Sequence, residues 1–210
     1  MCDDNYYGRH RAGMYECWRT PPNNNNYEGP PCRYLLKKNP LIIIGCNPSA
    51  ANEEHSDPTM VLVDGFCQRN GYGGYIMLNL YPQIAGNVGG LPNNINNEIH
   101  SFNVHIIERT IKENNKSDIL FAFGQIIEEK DYLYNICYND VRNLLTRLIN
   151  DGVINNDQIR KIAGRNIRNN QIETFDYPPH FRNPGFNNNN VERVIDPDPF
   201  DFEAYHIQNH

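Results

Sequence analysis

The sequence has 210 residues, enough for one domain with a complete hydrophobic core. Hydrophobic residues make up 39% and aromatic residues 11%, which excludes a wholly disordered chain, while a net charge of -6 gives no overall attraction to nucleic acid. No stretch approaches the roughly 18 apolar residues of a membrane span and no apolar signal segment is visible, so we expect a soluble, cytoplasmic protein with no membrane contact.

Asparagine is unusually frequent, with 33 residues and four-residue runs at 23–26 and 187–190. Such tracts have no apolar face to bury, which is typical of solvated loops. They flank the main apolar segments and suggest three parts. We expect an irregular, aromatic and Asn-rich lead-in packed on the domain at 1–39, an α/β domain at 40–185, and a poorly ordered, Asn-rich and acidic tail at 186–210.

The first strong element is the apolar run at 40–45, which ends in a glycine. Its β-branched residues are apolar on both faces, which indicates a central strand of a parallel sheet. Asp57 followed by Pro58 is typical of a helix start, with an N-cap and a proline in the first turn. The pattern predicts a helix that continues to about Asn70, where Gly71 ends it.

Strands and helices then alternate along the chain. We predict further strands at 75–80, 118–124 and 171–175, a helix at 96–113, and helical stretches at 125–135 and 138–150. This alternation favours right-handed βαβ units. The predicted fold class is therefore α/β, in the form of a three-layer α/β/α sandwich around a four-stranded parallel sheet.

The cysteines and histidines give little indication of a metal site. No CxxC pair and no histidine pair at metal-ligand spacing occurs. The cysteines at 46, 67 and 137 lie in apolar segments, which predicts buried free thiols, whereas those at 2, 17 and 32 recur every 15 residues and leave an iron–sulfur or metal site as an alternative. We expect no metal and no cofactor.

Polar side chains follow the predicted strands at their carboxyl ends, which is where sites form in parallel sheets. They are Asn47 and Ser49 after the first strand, Asn79 and Tyr81 after the second, and His180, Arg182 and Asn183 after the last, with Asp57 at the start of the first helix. Each segment alone is an ordinary turn. Their position on one edge of one sheet favours a single pocket lined by these side chains.

Several motifs occur in a specific order. They are Trp18-Arg19, Asn47-Pro48-Ser49-Ala50-Ala51, Asp57-Pro58-Thr59, Gly71-Tyr72-Gly73-Gly74, Leu78-Asn79-Leu80, Ala122-Phe123-Gly124 and Pro179-His180. Their order resembles a bacterial and phage family, domain of unknown function 1643, over roughly 17–185. The third-strand motif differs, because Phe123 stands where the family has tryptophan, and the final segment differs more.

The same strand ends show a more distant resemblance to the uracil-DNA glycosylase superfamily. Residues 45–49 are similar to its water-activating loop, Asn79 to its base-reading asparagine, residues 123–124 to its third strand end, and His180 or residues 183–185 to its last loop. The resemblance implies a uracil-DNA glycosylase-like fold and an N-glycosylase-type hydrolase. Such an enzyme releases a base, including a modified or deaminated one, from DNA or a nucleotide.

The resemblance also implies roles for the catalytic residues. Asn47 would hold a water molecule without deprotonating it, so the reaction would depend mainly on stabilisation of the leaving base. His180 would donate a hydrogen bond to the charge that develops on the base oxygen. Asp57 would face the same site as well as capping its helix.

The remaining residues would bind the substrate. Asn79 would offer its amide edge to a flipped pyrimidine. Ser49 would line the pocket, Tyr81 would stack on the base unless it belongs to the core, and Asn183 would supply a second donor. Arg182 would contact phosphate.

An alternative function uses the same pocket without catalysis. In this second hypothesis the protein binds a nucleotide, a modified base or a partner protein. The net charge of -6 favours it, because an enzyme that acts on duplex DNA needs a basic rim around its site.

Overall fold

The computed structural model of the protein describes residues 41–49, 58–166, 172–173, 175–182 and 193–206, together with three strands nearer the start of the sequence. The strands are β1 (Tyr7–His10), β2 (Tyr15–Trp18), β3 (Leu35–Lys37), β4 (Leu41–Gly45), β5 (Tyr75–Asn79), β6 (Ile119–Phe121), β7 (Ile159–Asn166), β8 (Ile172–Glu173) and β9 (Arg193–Pro199). The α-helices are α1 (Pro58–Arg69), α2 (Asn97–Glu113) and α3 (Asn139–Asn150).

The strands of the described residues form one mixed sheet. Its centre consists of four parallel strands in the order β5-β4-β6-β7. β3 extends this centre beyond β5, and β8 and β9 both pair with β7, all three in antiparallel orientation. The α/β class is therefore confirmed, whereas the expectation of a purely parallel four-stranded sheet is wrong.

The fourth parallel strand also differs from the prediction. It is β7, whereas the described strand residues of the segment 171–175 are the two of β8, which run antiparallel. Arg160 and Lys161 interrupt the apolar residues of β7, and the continuous apolar run that is typical of a buried parallel strand is therefore missing.

The lead-in and the tail both contribute strands, in contrast to the irregular lead-in and poorly ordered tail that we expected. β1, β2 and β3 form an antiparallel ladder that continues to β5. β9 pairs with β7 along its whole length, and Phe200, Phe202 and Tyr205 beyond it are buried. The prolines at 197 and 199 are compatible with a strand that has β7 as its one partner among the described strands.

The helices near the candidate site begin where the sequence predicts them. α1 starts at Pro58, although Asp57, its predicted N-cap, lies outside the described residues. α2 is capped by Asn96, whose Oδ1 accepts hydrogen bonds from the backbone N–H groups of Glu98 and Ile99. The stretch predicted to be helical at 125–135 forms a 3-10 helix, Gln125–Glu129, followed by a π-helix, Leu133–Tyr138, that continues into α3.

Side chains on the two faces of the parallel strands pack into different clusters. Ile42 and Ile44 of β4 face the residues of α2 and α3, and we call this side the α2/α3 face. Leu41 and Ile43 face α1, and we call this side the α1 face. The alternation follows from the two-residue period of a strand and gives the predicted layers, with helices on both sides of the sheet.

The described cysteines are buried free thiols at positions 46, 67 and 137, as predicted from their apolar surroundings. The cysteine side chains at 2, 17 and 32 lie outside the described residues. Within the described part of the chain, no helix combines the length and the apolar character needed to cross a membrane.

Candidate functional site

The Asn79 side chain lies at the carboxyl end of β5 with only 2% of its surface exposed. Asn79 pairs with Gly45 at the end of β4, and a Cβ atom on residue 45 would lie only 2.9 Å from Asn79 Oδ1. Glycine at 45 therefore leaves the space that the amide occupies. Among the described residues, no donor reaches Oδ1. A buried acceptor without a donor is costly, so a ligand that supplies an N–H or O–H group would be favoured here.

The loop after β4 carries Asn47, which is half-buried. Its Nδ2 donates hydrogen bonds to the carbonyl oxygens of Pro48 at 3.1 Å and Ala85 at 3.2 Å. Ala85 N in turn donates to Pro48 O at 3.1 Å, so this loop is tied to the chain that follows β5. Because both partners of Nδ2 are acceptors, the amide orientation is defined, and Oδ1 is left as an acceptor.

The hairpin of β7 and β8 brings His180 to the same edge of the sheet. Gly164 of β7 pairs with β9 through Ile195 and with β8 through Glu173, so β8 and β9 lie on opposite sides of β7. β6 pairs with the first residues of β7, also on the side of β7 opposite β9, so β6 and β8 lie along the same side of β7. β8 therefore lies beyond the carboxyl end of β6, and the chain that follows it returns over that end.

His180 packs against Gly124, which follows β6. Gly124 N donates to Pro178 O at 2.9 Å, and a Cβ on residue 124 would lie 3.1 Å from His180 Cβ. Gly124 also has a φ of 71°, in the left-handed region that favours glycine. Arg182 N donates to His180 Nδ1 at 3.2 Å, so in a neutral ring the proton is on Nε2, which becomes a donor.

Asn79 and His180 lie on the α1 face of the sheet. Met77, two residues before Asn79, packs with the α1 cluster, and Phe181, next to His180, contacts Phe66 of α1 with ring centroids 5.5 Å apart. β5 and β6 are separated by two strand spacings, or about 10 Å. Gly45, at the end of β4, lies between these two strands, and the Asn79 and Met77 side chains pack over it.

The other predicted residues are distributed around this edge or lie elsewhere. Ser49 is half-buried in the β4 loop, and Arg182 is exposed next to His180. Tyr81 is completely buried on the α2/α3 face, where its ring contacts Tyr132 and its hydroxyl accepts a hydrogen bond from Asn96 N. Tyr81 is thus a core residue in this structure, on the opposite face from Asn79. Asp57 and Asn183 lie outside the described residues.

One polar residue near the site was missed by the sequence interpretation. Asn103 of α2 is completely buried, and its Nδ2 donates to the carbonyl oxygens of Asn79 at 2.8 Å and Leu80 at 3.1 Å. The sequence feature that could have revealed Asn103 is its spacing, since it lies four residues after Ile99 and four before Ile107, on the apolar face of α2. A polar residue at such a position must have a buried partner.

The site shows no sign of a nucleophilic thiol or of a metal centre within the described residues. Burial, with a smaller contribution from the Glu129 charge, raises the pKa of the Cys46 thiol to about 12, so this neighbour of Asn47 stays protonated near neutral pH. No group of three or more histidine, cysteine, aspartate or glutamate side chains in the described part of the chain is arranged to hold a metal ion.

Comparison with known proteins identifies the family. The profile of the family described as "Protein of unknown function (DUF1643)" matches residues 33–158, which is more than half of the chain, and the protein belongs to this family. The matched segment includes the β4 loop, Asn79 and Gly124 but not His180. No curated protein and no solved structure matches the chain.

Proposed function

We propose that this protein is an N-glycosylase-type hydrolase that releases a base from DNA or a nucleotide, with a site and fold similar to those of the uracil-DNA glycosylase superfamily. The observation that carries the proposal is the buried Asn79 amide, whose Oδ1 has no donor among the described residues. The four parallel strands and the position of the site at their carboxyl ends support it.

The edge of a nucleobase is suited to this amide. The ring N–H group of a flipped base would donate to Asn79 Oδ1, and a carbonyl of the same base would accept from Nδ2. A carboxylate in place of the amide would offer acceptors alone. Asn79 would therefore select the base, and the nearby glycine at 45 would leave room for the amide that reads it.

Asn47 and His180 would supply the groups that act in bond cleavage. Asn47 Oδ1 can accept a hydrogen bond from an attacking water, and its Nδ2 bonds hold the amide in place. Since an amide cannot remove the proton, the departing base must carry the developing charge. The Nε2–H of a neutral His180 would stabilise that charge, as a preorganised donor does in an oxyanion hole.

The second candidate function is binding without catalysis, to a nucleotide, a modified base or a partner protein. The Asn47 contacts favour it, because the hydrogen bond from Nδ2 to Ala85 O also serves to hold the loop to the chain that follows β5. The net charge of -6 favours it as well, since it opposes binding to a long polyanion.

Base release from a panel of DNA, RNA and nucleoside substrates tests the proposal. We expect a free base, detected by chromatography, from at least one normal, deaminated or modified substrate in the presence of EDTA. Asn79→Asp should change which base is released, because the donor of the amide edge is lost. Saturable nucleotide binding without release, abolished by Asn79→Asp, would instead establish the binding function.

Asn47→Ala tests the water-holding role. We expect the rate of base release to fall by roughly 10²-fold, as for other single polar groups in active sites. Asn87→Ala is a suitable control, because Asn87 also stabilises this region, through a hydrogen bond from Gly90 N to its Oδ1 at 3.0 Å, but is exposed. Equal losses in the two variants would show that Asn47 acts only on loop stability.

A further inference from the structure

We propose that Asn103 is a positioning residue for the candidate site, which sets where the Asn79 amide lies by holding the end of β5. This inference rests on the proposed role of Asn79 in reading the ligand. Asn103 touches the backbone of Asn79 and Leu80, and its own side chain comes from α2.

The end of β5 needs such support on its β3 side, because on the β4 side the backbone hydrogen bonds continue as far as Tyr81 N, which donates to Cys46 O at 3.0 Å. Leu80 N still donates to Gly45 O at 2.9 Å, on the β4 side. On the other side, the described pairing of β3 with β5 reaches Ile76 and Met77 but not Asn79. The Asn79 carbonyl therefore lies beyond the described β3 ladder, and the Asn103 amide supplies the hydrogen bond that a neighbouring strand would otherwise supply.

Asn103 acts from the face opposite the site. The residues of α2 pack on the α2/α3 face, whereas the Asn79 side chain lies over Gly45 on the α1 face. Asn103 is therefore placed to act on the ligand only through the backbone that it holds. Its two hydrogen bonds fix two successive peptide groups, so they restrict both position and rotation of the strand end from which the Asn79 side chain projects.

The chemistry of Asn103 also argues against a role in stability alone. Its Oδ1 is buried and has no partner among the described residues, which is an unfavourable arrangement for a residue in an apolar cluster. The Asn103 side chain thus donates to two backbone carbonyl oxygens, while its own Oδ1 has no partner among the described residues.

The test uses three variants of the full chain. Asn103→Leu removes both donors with little change in volume. Asn103→Asp keeps the shape of the side chain and, because burial favours the neutral acid, it keeps one hydrogen-bond donor. It should therefore show a smaller effect than Asn103→Leu. It also replaces Asn103→Leu in the test if that variant fails to fold. Asn114→Leu is the matched control, since Asn114 also donates to a backbone carbonyl of α2, Thr110 O at 2.8 Å, but at the far end of the helix.

The first measurement needs no substrate. The side-chain amide signals of Asn79 in a ¹⁵N–¹H spectrum are assigned by their loss in Asn79→Asp. We expect them to move towards the values of a mobile, exposed amide in Asn103→Leu, to move less in Asn103→Asp, and to stay in place in Asn114→Leu. Unchanged Asn79 signals in a folded Asn103 variant would overturn the inference.

The second measurement uses the substrate that the base-release panel identifies. We expect kcat/KM to fall roughly 10- to 100-fold in Asn103→Leu, the effect of a small displacement of a reacting group, and to stay within about twofold in Asn114→Leu. Wild-type levels in Asn103→Leu would contradict the inference. If the wild-type chain neither releases nor binds a base, the proposed function fails, and the Asn79 signals alone still decide whether Asn103 positions that side chain.

Discussion

The two faces of the central sheet are built in different ways. On the α2/α3 face, a continuous group of aromatic rings fills the space between the sheet and the helices: Phe121, Phe123, Tyr138, Phe200 and Tyr205. The α1 face is covered by a smaller cluster around Phe66 and Phe181, and at its carboxyl end lie Gly45, the last residue of β4, and Gly124, which follows β6. The larger, aromatic core and the candidate site therefore lie on opposite sides of the same strands.

The largest expected effect comes from the aromatic face. Phe121 is completely buried and contacts three other rings, so Phe121→Ala should lower the free energy of unfolding by about 3–5 kcal/mol, measured by urea denaturation. Val61→Ala on α1 is the control, because Val61 is 62% exposed and should change stability by less than about 0.5 kcal/mol. Similar losses in both variants would remove the distinction between the two faces.

A smaller effect is expected at the glycine end of the α1 face. Gly124→Ala should cost about 2 kcal/mol, since it combines a positive φ with a Cβ 3.1 Å from His180 Cβ. Gly152→Ala is the comparison at a positive φ without a steric contact, because Gly152 has a φ of 68° and no atom within 4 Å of a new Cβ, and should cost about 1 kcal/mol. Thermal unfolding of both variants gives the difference. If that difference is zero, His180 is not held closely against residue 124.

Loss of a single hydrogen bond on the aromatic face should have a still smaller effect. Tyr138 Oη donates to Phe202 O at 2.6 Å within the core. Tyr138→Phe keeps the ring contacts and should cost about 1 kcal/mol in urea denaturation, the net contribution of one buried hydrogen bond. A loss as large as that of Phe121→Ala would mean that this bond, and not ring packing, holds residues 200–205.

The smallest expected effect is electrostatic and lies on the outer surface of α2. A hydrogen bond from Lys112, opposed by burial and assisted by Arg147, holds the pKa of Glu108 below its ordinary value of 4.5. The carboxylate therefore stabilises the folded chain above that pH, and its contribution is lost as the pH falls through the lower, folded-state pKa. Glu108→Gln should cost about 0.5 kcal/mol near pH 7 and nothing in strong acid. A cost that stays constant with pH would exclude this origin.

The sequence was most informative where one physical pattern dominates. The apolar run of β4 and the proline at the start of α1 were local signals, and the structure shows both elements at the predicted positions. The order of strands and the glycines after them also predicted that Asn79 would lie at the carboxyl edge of the sheet.

The remaining elements depend on partners that are distant in the sequence. β7 contains charged residues and β9 contains prolines, so neither pattern predicts a strand until the pairing between them is known. Tyr81 could not be assigned to a face, because it follows the strand end, where the two-residue alternation stops. Asn103 was hidden because polar residues in an amphipathic helix are usually exposed.

The closure of the aromatic face by residues 200–205 has a consequence for synthesis of the protein. Tyr138 and Phe202, which meet in the folded core, are 64 residues apart in the chain. A ribosome releases the earlier rings well before the later ones, so the growing chain must pass through a stage with an open aromatic surface. Such long-range closure slows folding and exposes the chain to aggregation. We therefore expect the yield of folded protein in cells to depend on growth temperature and on chaperones that bind exposed apolar surface.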